Sequence, residues 1–129
     1  MQNSQLTSSS AVISYVKDFY DCSVDFPWQT SPTFGVLRHA HSKTWFGLVM
    51  TISLKTLGIS DSDDMVDAIN LKADPFDVEF FASQPGFVPA YHMNKTHWVT
   101  IILNGTISDQ QIESMIADSY RLTAKAADR

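Results

Sequence analysis

TFGVLRHAHSKTWFGLVMTISL, residues 33–54, decides the fold. Two runs rich in β-branched and aromatic residues, Thr33–His39 and Thr44–Leu54, flank a short stretch at Ala40–Lys43 that reads as a tight turn between paired strands. In the second run Phe46, Leu48, Met50, Ile52 and Leu54 fall on one face, and Trp45, Gly47, Val49, Thr51 and Ser53 on the other, because successive side chains of a strand point to opposite sides. Such a strand belongs to an antiparallel sheet with one buried and one more open face.

Working outward, Met65–Lys72 alternates again, with Asp67, Ile69 and Leu71 opposing Ala68, Asn70 and Lys72. Leu57–Asp64 is a linker whose acids keep it in solvent. Asp74-Pro75 is a helix start, an N-cap followed by proline at the first helical position; the helix runs to about Ser83 and is closed by Gln84-Pro85-Gly86. Phe87–Met93 and His97–Leu103 form a second hairpin with Asn94–Thr96 near its tip.

Helices close both ends. Val12, Ile13, Val16, Phe19 and Tyr20 recur at helical spacing through about Asp21, with Ser10 or a neighbour as the cap. Asp25–Pro32 is a loop, since Pro27 and Pro32 fit neither a helix interior nor a central strand. Ser108 with Gln111 makes a capping-box pattern, and Ile112, Met115, Ile116, Ser119, Tyr120 and Leu122 mark the closing helix. Met1–Ser10, polar and serine-rich, reads as a flexible lead-in. The expectation is a single α+β domain over residues 1–129: two layers, a twisted antiparallel sheet of about five strands, and the N- and C-terminal helices packed on one face. The other face stays partly open, and function is sought there.

Charge sets bounds on partners. The formal net charge is −5, which argues against a polyanion. Its distribution is uneven, however. Phe26–Ser60 holds no Asp or Glu while carrying Arg38, His39, His41, Lys43 and Lys55, and Val88–Ile107 is also acid-free, with His92, Lys95 and His97. Cys22 is the single cysteine, so no internal disulfide forms, which fits a reducing compartment and a cytoplasmic location. No apolar run approaches the roughly 18 residues of a membrane span.

The chemically richest stretch is Val88–Trp98, with two histidines, an Asn, a Lys and two aromatics in about one hairpin. Strand alternation turns Val99, Ile101 and Leu103 toward the helices, and Trp98 and Thr100 outward, on the side of Asn70 and Lys72. A Trp beside a Lys, a His and an Asn suits stacking of an aromatic ligand together with binding of an anion. The plainer alternative has Trp98 covering the sheet and the histidines capping hairpin ends. Arg38, His39, His41 and Lys43 make a second cationic point, which with Lys95 would grip a polyanion from two sides; alone, such charges are a solvated turn that discourages edge pairing. His92 and His97 lack the further ligands of a structural zinc site. Cys22, beside Asp18, Asp21 and Asp25, has a thiol pKa pushed up rather than down. No phosphate loop, paired catalytic carboxylates or nucleophile elbow is present, so no cofactor and no catalytic residue is assigned.

Three segments resemble one known family. Pro89-Ala90-Tyr91-His92-Met93-Asn94-Lys95-Thr96-His97-Trp98, Asn70-Leu71-Lys72-Ala73-Asp74-Pro75 upstream, and Asp118-Ser119-Tyr120-Arg121-Leu122 in the last helix are similar in order and spacing to the signature of the MmcQ/YjbR proteins. The resemblance spans roughly Val12–Thr123. It implies a CyaY-like α-β sheet-α sandwich and a DNA-binding role through two hairpin wings, here the turns at Ala40–Lys43 and Asn94–Thr96. It implies contacts from Arg38, His39, His41, Lys43, Lys72, His92, Asn94, Lys95, His97 and Trp98. With so few cations such binding is weak and salt-sensitive. The fold is also similar to frataxin, but the first helix carries only Asp18 and Asp21 as acids, so iron binding is not carried over. Two alternatives stand beside DNA as partner: a small-molecule or anion-binding domain (or an enzyme) centred on Lys72, His92, His97 and Trp98, and an adaptor docking another protein through Trp98 and Tyr91.

Overall fold

The alternating run at 44–54 becomes the middle of a six-stranded sheet in the computed structural model, which describes residues 5–129. In chain order the elements are α1 (Ser9–Phe19), β1 (Cys22–Asp25), β2 (Gly35–His39), β3 (Trp45–Ser53), β4 (Met65–Lys72), α2 (Pro75–Phe81), β5 (Phe87–Pro89), β6 (Trp98–Ile102) and α3 (Asp109–Thr123), then a 3-10 turn at Ala126–Asp128. The sheet order is β1-β2-β3-β4-β6-β5, and every neighbouring pair is antiparallel.

The α+β class and the placing of both terminal helices on one face agree with the sequence. Val12 and Val16 of α1 share one buried cluster with Ile112, Met115 and Ile116 of α3, and with Leu37, Val49, Ile69, Leu71, Val99 and Ile101 from the sheet. Each such side chain contributes roughly 1.5–3 kcal/mol by leaving water. Two caps fall where the sequence puts them, Asp74 accepting from Phe76 N–H and Ser108 from Gln111 N–H, whereas the first helix starts earlier than expected: Ser8 caps it, accepting from Ala11 N–H, and Ser10 lies within it. Gly86, at φ +90° in the turn before β5, adopts a backbone that suits a residue without Cβ.

Four expectations are corrected. The sheet has six strands rather than about five, because Cys22–Asp25 is a strand paired with β2 and not a helix end and loop; four residues are too few to display an alternation. The lead-in is anchored where it is described: Leu6 is 5% exposed, and the N–H groups of Gln5 and Leu6 donate to the two Asp109 carboxylate oxygens at 2.7 and 3.0 Å. Residues 1–4 of that lead-in lie outside the described residues. Third, the second hairpin is shorter than expected, since β5 stops at Pro89 and residues 90–97 form an irregular loop.

The fourth correction concerns the alternation of β3. Leu37 pairs with Gly47 but Arg38 pairs with Trp45, so Phe46 is an extra residue, a β-bulge. Phe46 therefore turns to the helix side beside Val49, while Leu48, Met50 and Ile52 occupy the opposite face. Gly47 lies under Leu37, whose Cδ1 would be 2.8 Å from an added Cβ. Past the bulge β3 and β4 no longer bond directly. The buried Ser119 hydroxyl of α3 fills the gap, accepting from Lys72 N–H at 2.9 Å and donating to the Phe46 carbonyl at 2.6 Å.

Candidate functional site

The sheet face away from the helices is not open. Met50, Ile52, Ala68 and Ile102 form a second buried cluster there, with Phe34, Val88 and Tyr91 packed on it. Asn70 and Thr100, expected on an exposed surface, are both fully buried. They are sheet partners on adjacent strands. The Thr100 hydroxyl donates to the Asn70 side-chain oxygen and accepts from Tyr91 N–H at 3.1 Å; Asn70 Nδ2 donates to the Tyr91 carbonyl at 2.9 Å. The network is closed, so the sheet holds both backbone polar groups of Tyr91. That clamp fixes the loop just before His92, which sits at φ +56°, a conformation uncommon for a non-glycine residue.

The clamped loop and residues 26–34 leave a groove between them. Its volume is about 280 Å³, and its lining includes Trp28, Phe34, Trp45, Leu48, His92 and Met93. Trp28 and Trp45 meet edge to face with centroids 5.8 Å apart. The Arg38 guanidinium lies 5.6 Å from the Trp45 centroid and donates through Nε to Asp25 at 2.7 Å. The hydroxyl-bearing Thr30 and Ser31 complete the lining. Sequence reasoning singled out His92 and missed Trp28, Phe34, Trp45 and Leu48. The aromatic density from Phe26 to Trp45 was the available signal, but the path of a proline-bounded loop across a sheet has no periodicity to read.

Strand register places the two expected wings. Arg38 pairs with Trp45, Gly47 with Leu71, Lys72 with Trp98, and Val99 with Pro89. The β2–β3 turn and the β5–β6 loop thus leave the sheet at the same end. Their charges differ in availability. Arg38 is paired with Asp25, and His41 Nε2 lies 3.1 Å from Asp21 Oδ2. His39 is no surface contact at all: it is fully buried against Phe46 and Tyr120, with ring centroids 5.4 and 4.1 Å away. Lys43 and Lys95 are exposed, and neither has an ion pair among the described residues. His97 is exposed as well, while Trp98 is half-buried. Asn94 uses its side-chain oxygen inside the loop, accepting from Thr96 and His97 N–H at 2.9 and 3.1 Å. Lys72 lines a separate cleft of about 140 Å³ with Phe81, Met115 and Arg121. The set Lys72, His92, His97 and Trp98 is therefore not gathered in one pocket.

Burial governs the titrating groups nearby. His39 Nε2 lies 2.8 Å from the Thr123 hydroxyl, whose own proton goes to the Ser119 carbonyl at 2.7 Å. Nε2 therefore donates, which leaves Nδ1 as a bare acceptor with no hydrogen bond, 3.6 Å from Asp128 Oδ2. Burial holds the His39 pKa below its ordinary value against the upward pull of Asp128. Burial also opposes the charge on Asp128. Hydrogen bonds from the Ser42 hydroxyl, Lys125 N–H and Ser42 N–H, with His39 adding its attraction, outweigh it and keep this carboxyl well below the usual carboxylate range. The Cys22 thiol is pushed up by burial and then by Asp21, against Lys17, which leaves it a poor nucleophile. Among the described residues no three His, Cys, Asp or Glu side chains come together as metal ligands would, and no helix is long and apolar enough to cross a membrane.

Comparison with known proteins agrees with this architecture. The profile of the YjbR family matches residues 17–122. The uncharacterized protein YyaQ of Bacillus subtilis (strain 168) is 35% identical over 112 residues, covering 87% of this chain and 94% of YyaQ. A crystal structure of a Pseudomonas syringae protein superposes with a TM-score of 0.85 at 40% identity, covering 91% of this chain and 99% of that one. A Deinococcus radiodurans protein with a DUF419 domain shares the fold at TM-score 0.74 and 21% identity, covering 100% of this chain and 89% of that one.

Proposed function

The chain belongs to the YjbR family, and from that premise and the geometry of its surface we propose that it is a binding module whose site is the aromatic groove at Trp28, Trp45 and His92. The observation that carries the reading is the combination of aromatic walls with a wall loop clamped from beneath by Asn70 and Thr100. Ligand sites are concave, largely apolar and preformed, with a few polar groups that fix orientation. Thr30, Ser31 and His92 supply those groups. Binding is favoured over turnover because, among the described residues, His92 is the one titratable side chain in the lining, which holds no carboxylate, thiol or amine. The ligand suited to such walls carries a flat aromatic ring.

Thermal shift against a panel of indole, benzoate and nucleosides tests this. A ligand at a hundred times its Kd stabilises the folded state by about 2.7 kcal/mol. The expected result is at least one hit that disappears in Trp28→Ala and His92→Ala. A panel without hits, or hits indifferent to both substitutions, removes the reading.

Duplex DNA gripped by the two wings is the second reading, favoured by the common end from which the β2–β3 turn and β5–β6 loop project. The pairing of Arg38 and His41 with acids weighs against it. Duplex binding that stays undetectable at micromolar protein and low salt, or that survives Lys43→Glu with Lys95→Glu, rules it out.

A further inference from the structure

Resting on the groove as the binding site, we infer that its occupant is an unpaired nucleotide within a single strand, the base seated against Trp28 and Trp45 and the flanking phosphates meeting Lys43 and Lys95. The groove's volume, about 280 Å³, lies near the lower bound for small-molecule pockets, room for one flat ring system rather than an extended ligand. Its polar lining is unspent. The Thr30 and Ser31 hydroxyls and the His92 ring make no hydrogen bond among the described residues, so donors and acceptors stand ready for the polar edge of a heteroaromatic ring. A phenyl or indole side chain of a peptide would leave most of them unused.

The cations supply the second half. Arg38, nearest the rings, is committed to Asp25 and to the Lys43 carbonyl. Two exposed cations without an ion pair among the described residues lie close along the chain to lining residues: Lys43 precedes Trp45 by two residues, and Lys95 follows Met93 by two. A ring with a negative charge on either side of it is the pattern of a base within a phosphodiester chain. Proteins that hold unpaired strands combine aromatic platforms with cations tracking the backbone in this way. A base inside a duplex is stacked and paired, and would have to be flipped out before it entered the groove.

Fluorescence anisotropy of labelled oligothymidylate tests the inference, with the same strand annealed to oligoadenylate, free thymidylate and indole as comparisons. The strand is expected to bind at least tenfold better than the duplex. Its affinity should fall roughly sevenfold between 50 and 200 mM salt, as two phosphate contacts to a single strand require. Trp28→Ala should weaken it about tenfold, and Lys43→Glu with Lys95→Glu should remove both the binding and its salt dependence. All three positions are exposed, so unchanged thermal unfolding of the variants separates lost binding from lost fold. Equal affinity for duplex overturns the inference in favour of the wings. Free thymidylate binding as tightly as the strand overturns the flanking-phosphate contacts. Indole binding with no nucleotide binding overturns the inference while leaving the groove as a site, and no binding by any ring removes both.

Discussion

The β2–β3 turn and the β5–β6 loop sit at the same end of one sheet and look alike in composition, each with histidines and a lysine, yet they are held in opposite ways. The first is tied largely by carboxylates, from the end of β1, the residue before that strand and the chain's last turn. Asp25 takes Arg38, Asp21 takes His41, and Asp128 takes the hydroxyl and N–H of Ser42 at 2.6 and 3.0 Å. The second is tied by neutral hydrogen bonds from beneath, through Asn70 and Thr100, which leaves His92, Lys95 and His97 facing outward. The first bend spends Arg38, His41 and Ser42 on staying in place and leaves Lys43 without an ion pair among the described residues, whereas the second spends Asn94 and leaves both histidines and Lys95 to offer. A basic residue on a hairpin therefore says little about binding until its counter-ion is known.

The comparison breaks most visibly at Asn70. Asn70→Leu leaves the Tyr91 carbonyl and the Thr100 hydroxyl short of partners in a dry interior, at a cost of about 2–4 kcal/mol. Urea unfolding should show that loss, and hydrogen exchange should show faster opening confined to residues 90–97, with the β2–β3 turn unaffected. Uniform acceleration across the sheet would mean that the network stabilises the fold without governing the loop.

A smaller effect sharpens the other side. His39 is disfavoured as a cation by burial, so the unfolded chain takes a proton near pH 6.5 that the folded one resists. Stability should then decline as pH falls through about 6.5. Asp128, whose carboxyl is held low, contributes above about pH 4 and loses that contribution as pH falls further. Urea midpoints at pH 7.5 and 5.5 should differ in the wild type and converge in His39→Gln. A midpoint that rises on acidification would show instead that the pull of Asp128 on Nδ1 overcomes burial.

Much of the architecture was legible because it rests on local rules. Asp74-Pro75 and Ser108 cap helices as their types dictate, and the terminal helices show their apolar stripes. The candidate site was legible only in part. His92 stood out by its neighbours, but Asn70, correctly assigned to the face away from the helices, is covered by a loop whose path no local rule reveals. His39 looked like a wing cation because its burial depends on Tyr120 and Asp128, more than eighty residues downstream. Phe46 defeated the alternation because one inserted residue reverses every side chain on one side of it.

The seam between β3 and β4 has a consequence for how the molecule assembles. Its last rung is a hydroxyl lent by α3, so the strands cannot complete their pairing until residue 119 arrives. During synthesis the two strands emerge early and wait, with one carbonyl and one amide still wetted by solvent, for the far end of the chain. Docking of the final helix and drying of that corner of the sheet should then be a single event, leaving no stable intermediate in which one has occurred without the other.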